Sequence, residues 1–342
     1  MELIKGRLLL KALVLIVFVL SLVGCTQEPK AKQAQTKGST SVVKKMPKKM
    51  TEVKMGLPSK RNMSYISIYV ALKKGYYQKH NLDVKLTYVQ GGVLALRGLQ
   101  TGDFQIISSL PESVITGVAA GANTKIIGTF DNQSMYTIYV DKSIRDLKEL
   151  KGKSAAGMVT GNGTNIQLEY WLRNHGLEPN KDVRIINAGD NAERLQAVQQ
   201  GQAALTILSP PTDIRADEMG LKQYRMRDEL TTYNHNMIVA NGDLIKKQPE
   251  VLHAYMAANN EALKYVKDPA NRDEVIKIII EELEMTQSDA EKSFDFVLPA
   301  LADQGRINLD GVDWAINTVK ETGMSKKEVS LEDLVDESFY PE

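Results

Sequence analysis

Cys25 is the only cysteine among the 342 residues, so a single chain forms no internal disulfide and apolar burial has to hold the fold together. A hydrophobic fraction of 43% is ordinary for a globular protein and supplies that core. Metal-ligand spacing is missing as well: His80, His175, His235 and His253 share no H-x-x-x-H pattern, and there is no H-E-x-x-H and no cysteine cluster. No G-x-S-x-G elbow offers a serine nucleophile. Two glycine-bearing stretches fall short of nucleotide motifs. Ile166 stands where a G-x-G-x-x-G run from Gly161 needs its third glycine, and Leu147 stands where a phosphate loop through Gly152-Lys153-Ser154 needs its first. No metal, cofactor or catalytic residue is expected.

The net charge of +1 conceals an uneven distribution. Residues 1–25 carry Lys5, Arg7 and Lys11 against Glu2, and residues 26–50 carry seven lysines against Glu28, which leaves about −7 on residues 51–342. A mildly acidic body offers no extended basic face to a phosphate backbone, so nucleic acid is excluded as a partner. The amino-terminal segment has the three parts of an export signal: basic residues, an apolar run over 12–20, and small residues before Cys25. The run is too short for a stable membrane span. Leu22-Val23-Gly24-Cys25 resembles a lipobox, which implies that residues 1–24 are a lipoprotein signal peptide and that Cys25 is the site of lipid attachment. The other reading is a non-lipidated signal with an incidental cysteine. Residues 25–50, rich in Lys, Gln, Ser and Thr, have little to bury and read as a disordered basic linker, held against an anionic membrane surface or simply solvated.

From residue 51 short β-branched runs alternate with helical stretches, the order of parallel α/β construction. Strands are expected at 53–57, 84–89, 104–108, 125–130 and 135–140, with helices at 64–74, 93–101 and 111–120. Ser64 is expected to cap the first helix, Gly75, Gly102 and Gly121 end them, and Pro111 starts the third. A shorter copy follows, with strands at 153–158, 183–187 and 204–208 and helices at 164–175 and 192–200. Residues 233–240 are again extended, and the remainder is helical, with one apolar stripe at Val251, Tyr255, Ala258, Ala262 and Val266 and another at Val275, Ile278, Ile279 and Leu283. The two extended segments at 135–140 and 233–240 bracket the second block, as two crossings side by side at a hinge would.

Residues 69–84, Tyr-Val-Ala-Leu-Lys-Lys-Gly-Tyr-Tyr-Gln-Lys-His-Asn-Leu-Asp-Val, resemble a segment shared by substrate-binding proteins of ABC importers in the nitrate, sulfonate, taurine and thiamine-pyrimidine group. Gly91-Gly92 with Leu99-Gln100-Thr101-Gly102-Asp103-Phe104, residues 117–122, residues 147–153 and Gln200-Gly201-Gln202-Ala203 match that group in order. Asn81 stands where the group usually has glycine, and asparagine also tolerates the left-handed turn. The resemblance implies an α/β, two-lobed type II periplasmic-binding-protein-like fold with a central cleft and a two-strand hinge. Lobe 1 would comprise 51–136 and 236–342, and lobe 2 would comprise 137–235. It further implies a monomer that binds a small molecule, closes on it, and docks on ABC permease subunits with their ATPase. The protein would be lipid-anchored on the extracytoplasmic face of a cell membrane. A pyrimidine synthase of similar fold carries a cysteine-rich run that this chain does not share, so enzyme activity is not expected.

In open α/β sheets ligands sit beyond the carboxyl ends of strands, at loops leading into helix amino termini. Here those loops supply Arg61, Asn62 and Tyr65; Gly91 and Gly92; Ser108 and Ser109; Asn162, Gly163, Thr164 and Asn165; Asn187; and Ser209. Thr164 is expected to cap its helix and offer its hydroxyl, and the adjoining glycines let backbone N–H groups approach a ligand. Arg61 fits a bidentate bond to a sulfonate or carboxylate, or is simply exposed. Glu112 fits a helix-dipole partner better than a ligand contact. Tyr136 and Tyr233 flank the hinge, where they stack on a planar ligand or pack the hinge itself. The ligand class expected is a nitrate-, alkanesulfonate- or taurine-like anion, with a thiamine-precursor pyrimidine as the alternative.

Overall fold

The computed structural model describes residues 46–341. Cys25, the signal segment and most of the basic linker lie outside the described residues. Among the described residues no helix is long and apolar enough to cross a membrane.

Among the described residues ten strands form two five-stranded sheets: β1 Thr51–Leu57, β2 Leu82–Tyr88, β3 Ile106–Ser109, β4 Thr124–Thr129, β5 Thr137–Val140, β6 Ser154–Gly157, β7 Arg184–Asn187, β8 Leu205–Leu208, β9 Lys222–Arg225 and β10 Met237–Asn241. The first sheet has the order β2-β1-β3-β10-β4 and the second β7-β6-β8-β5-β9. Within each, the strands joined by crossover helices are parallel: β1 with β2 and β3, and β6 with β7 and β8. The sheets are nonetheless mixed. β10 runs antiparallel to β3 and β4, and β5 antiparallel to β8 and β9, because each is the strand by which the chain has just crossed from the other sheet.

The segments at 135–140 and 233–240 shorten to β5 and β10 and lie in different sheets. Their crossings meet earlier. Phe130 N–H donates to Asn236 O at 2.8 Å and His235 N–H to Asp131 O at 3.1 Å, so two backbone strands run side by side between the sheets. Strand β9 was not apparent in the sequence. Its residues, Lys-Gln-Tyr-Arg, carry no apolar alternation because it is an edge strand covered on one side only.

The larger core packs both faces of the first sheet. Val53, Met55 and Leu57 of β1 are buried with Val251, Tyr255, Ala258, Ala262 and Val266 of the helix Pro249–Lys267 and Val275, Ile278, Ile279 and Leu283 of the helix Arg272–Leu283. Both carboxy-terminal stripes therefore face inward, as their spacing requires. A second core, with Trp171, Leu172, Ile138 and Ile207, packs one face of the second sheet, and a third, with Tyr139, Ala156, Leu195 and Leu208, packs the other. At roughly 1.5–3 kcal/mol for each fully buried large apolar side chain, these clusters take the place of the missing disulfides.

Two helix starts differ from expectation. Asn62, not Ser64, caps the first helical segment, accepting from Ser64 N–H at 2.9 Å. Asn162, not Thr164, caps the helix Gly163–Asn174, accepting from Thr164 N–H at 2.9 Å. In both cases asparagine two residues upstream reaches the orphan donor, and the Thr164 hydroxyl is left to meet Tyr136 Oη at 2.8 Å.

Candidate ligand-binding site

Loops at the carboxyl ends of β1, β2, β3, β6 and β7 converge on one small cavity of about 30 Å³ between the sheets. Its walls take Ser59, Asn62 and Tyr65 from the loop after β1, Gly91 and Gly92 after β2, and Leu110 and Ser113 after β3. From the other side come Met158, Asn162 and Thr164 after β6, and Asp190, Asn191 and Arg194 after β7. Tyr136, His235 and Asn236 of the two crossings close the base. A space of this size holds about two water-sized atoms, so the cleft stands almost shut. Asp190 and Asn191 also line a wider outer trough of about 750 Å³.

Arg194 is the strongest charge in the wall. It sits one turn into the helix Asn191–Gln199 and is only 1% exposed. Its hydrogen bonds go to neutral oxygens: Nε to Ile207 O at 2.9 Å, one terminal nitrogen to Gly189 O at 3.0 Å and the other to Asn191 Oδ1 at 2.7 Å. Three of five N–H groups are thereby fixed, which aims the fork, and among the described residues the positive charge has no carboxylate in direct contact. Burial lowers its pKa from the usual arginine range, partly opposed by Tyr136 and Asp190. A buried cation of this kind is stabilised by an acceptor-rich anion.

Around it the cavity offers neutral polar groups. Among the described residues the buried Tyr65 hydroxyl finds no hydrogen-bond partner, with the Ser59 and Ser108 hydroxyls as polar neighbours. His235 is held neutral, its pKa pushed down to about 3 by burial and by the nearby Arg227 charge, and its Nδ1 has no partner among the described residues. Its ring meets that of Tyr136 edge to face at 4.5 Å. Asp190 caps its helix through Asn191 N–H at 2.8 Å, and burial raises its pKa.

The seam beside the cavity is closed by direct contacts between the two halves. Gly163 N–H donates to Ser113 Oγ at 3.2 Å. Tyr233 Oη donates to the Glu112 carboxyl, 2.9 Å from each oxygen, and accepts from Gln167 Nε2 at 2.8 Å. Glu112 is fully buried, and desolvation pushes its pKa up to about 8 against smaller opposing effects from a backbone hydrogen bond and Tyr233.

Of the residues picked from sequence, Asn62, Tyr65, Gly91, Gly92, Asn162 and Thr164 line the cavity. Ser108, Ser109 and Ser209 are buried just behind it; Ser209 is tied to Asn191 by two hydrogen bonds, and the Ser109 hydroxyl lies where a Gly92 side chain would begin. Gly163 and Tyr233 belong to the seam. Asn165 fastens its own loop, receiving Met158 N–H and donating to Met158 O, each at 2.7 Å. Arg61 lies in the outer trough paired with Glu284, and Asn187 is exposed at the end of β7. Sequence reasoning missed Arg194, Asp190, Asn191, His235 and Asn236. Arg194 lies one turn into the helix that follows the loop after Asn187. Among the described residues no group of His, Cys, Asp or Glu is arranged to hold a metal.

Comparison with known proteins places this geometry in a family. The sequence matches the family described as "NMT1/THI5 like" over residues 62–272, and the chain belongs to it. It is 24% identical over 246 residues to the putative binding protein YtlA of Bacillus subtilis, covering 70% of this chain and 73% of that one. It is 22% identical over 245 residues to the nitrate/nitrite binding protein NrtA of Synechococcus elongatus, covering 63% and 55%. Among solved structures, the periplasmic aliphatic sulphonate binding protein SsuA of Escherichia coli superposes with a TM-score of 0.68 at 18% identity, covering 83% of this chain and 92% of that one. The periplasmic nitrate-binding protein NrtA of Synechocystis gives 0.70 at 17% identity, covering 86% and 88%. The fold is thus the two-lobed one of periplasmic binding proteins.

Proposed function

We propose that this protein is the extracytoplasmic solute-binding component of an ABC importer. It captures a small molecule between lobe 1 (51–136 and 236–342) and lobe 2 (137–235) and delivers it to a permease. The observation that carries this reading is the buried Arg194 guanidinium, without an acidic partner in contact among the described residues, in the wall of an almost shut interlobe cavity. The ligand is a compact anion or anionic headgroup of the nitrate, alkanesulfonate or taurine kind, held by Arg194 and by hydroxyl and amide donors from both halves. Contacts from both lobes give a ligand the differential affinity it needs to favour the closed form. Attachment through an acylated Cys25 keeps the protein at the membrane beside its permease. The names of the related nitrate- and sulphonate-binding proteins support this ligand class.

A second reading, a thiamine-precursor pyrimidine, is favoured by the rings of Tyr65, Tyr136 and His235 around the cavity and by the family match. Isothermal titration calorimetry with nitrate, taurine, an alkanesulfonate and an aminopyrimidine separates the two. Binding of one of the first three, abolished in Arg194→Met, supports the anion reading. Binding of the pyrimidine alone supports the second, and binding of none, with no small molecule in the native mass spectrum, contradicts both.

A further inference from the structure

We propose that Glu112 is a proton-sensitive latch on the closed form, so that closure of the two lobes takes up a proton. The inference rests on the two-lobe capture reading, and concerns the seam beside the cavity, since Glu112 does not line the cavity itself.

The geometry is that of two helix starts pressed together. Glu112 lies in the first turn of the helix Pro111–Ala119, which follows β3 of the first sheet. Gly163 opens the helix Gly163–Asn174, which follows β6 of the second. A Cβ on Gly163 would lie 2.7 Å from Glu112 Oε2 and 2.7 Å from Leu110 Cβ, so glycine is what allows the carboxyl to sit against the opposing helix. Tyr233, from the second crossing, spans the gap between the Glu112 carboxyl and Gln167. Trp314, from the helix Leu309–Glu321, packs edge-on against Tyr233 at 5.5 Å and against Tyr170 at 5.1 Å and covers the network from outside.

Among the described residues no cation faces this carboxyl. The titratable groups around it are Tyr233, and beyond that Tyr136; the opposing helix presents Gly163, Thr164 and Gln167, none of which titrates. A charged carboxylate is therefore costly while the seam is dry. Separation of the lobes exposes the same group to water, where its pKa returns to about 4.3. The closed form binds the proton more tightly, so closure is fully favoured below the open-state pKa. It weakens as pH rises, and the penalty saturates once pH passes the closed-state value of about 8. Between those limits the closing equilibrium falls by at most about tenfold per pH unit. Ligand is captured most tightly in mildly acidic surroundings and released more readily in alkaline ones.

The test is small-angle scattering of the full chain from about pH 5 to about pH 9, alone and with saturating nitrate or taurine, for the wild type, Glu112→Gln and Tyr233→Phe. Gln keeps an acceptor for Tyr233 and removes the titration. The wild type is expected to expand with rising pH, with Glu112→Gln compact and flat across the range. Tyr233→Phe, which removes the strut but keeps the carboxyl, should expand at lower pH than the wild type. Equal pH profiles for wild type and Glu112→Gln, with nitrate or taurine still compacting both, overturn the latch and leave the capture reading standing. A radius that responds neither to pH nor to any compound in either protein removes both.

Discussion

The Tyr136 hydroxyl lies 2.8 Å from Thr164 Oγ1, joining the first crossing between the lobes to the first turn of the helix Gly163–Asn174. Both residues line the cavity, so the contact ties the crossing to the cavity wall. Because Asn162 already caps the helix, the Thr164 hydroxyl is free for this role.

Thr164→Leu is expected to abolish ligand-induced stabilisation while leaving the protein folded. The substitution fills a cavity of about 30 Å³ and removes one hydroxyl, which costs about 1–3 kcal/mol in a domain of this size and does not unfold it. Thermal shift with and without ligand checks this: an undiminished shift in the variant places the ligand elsewhere.

Arg194→Lys and Arg194→Met separate charge from geometry. Lysine keeps the cation but cannot reach Ile207 O, Gly189 O and Asn191 Oδ1 together, so affinity for an anion should fall by about tenfold; methionine should lower it by about 100-fold or more. Calorimetry reads both, with circular dichroism as the control for folding. Equal affinity in all three proteins would remove Arg194 from the site.

Gly91 has φ of +84°, and a Cβ there would meet Asn162 Nδ2 at 2.7 Å and Met158 Cε at 3.1 Å across the cleft. Gly91→Ala therefore strains the backbone by about 1–3 kcal/mol and props the lobes apart. Weaker ligand binding with a larger scattering radius is the expected pair of results, and loss of stability alone would show that the strain is local.

Much of the first sheet and about a third of the cavity wall were legible in the sequence. Glycines after apolar stripes ended helices, Asn81 adopts the left-handed turn with φ of +58°, and Asn62, Gly91, Gly92, Asn162 and Thr164 fall in polar loops after strands, where cleft residues collect. Arg194 was not legible, because an arginine between Glu193 and Leu195 in an amphipathic helix reads as solvated until the packing of β8 against that helix buries it. Arg61 looked equally suited, yet Glu284, 223 positions away, satisfies it in the outer trough. The side on which each loop lies depends on the crossings, and those depend on antiparallel pairings that no local pattern announces.

His235 predicts a specific acid limb. It is neutral in the fold, with a pKa of about 3 against about 6.5 when unfolded, so its contribution is complete above about pH 6.5 and is lost as pH falls towards 3. Thermal midpoints should drop less steeply below about pH 6 in His235→Gln than in the wild type, by about one proton's worth of slope. Parallel acid limbs would mean that His235 gains solvent before the protein unfolds.

The most direct measurement is a calorimetric titration of the purified wild type and Arg194→Met with nitrate, taurine and an alkanesulfonate at neutral pH. A saturable one-to-one isotherm with one of them, lost in the variant, is the outcome this account requires. An isotherm of the same affinity in Arg194→Met would show that the buried guanidinium does not hold the ligand.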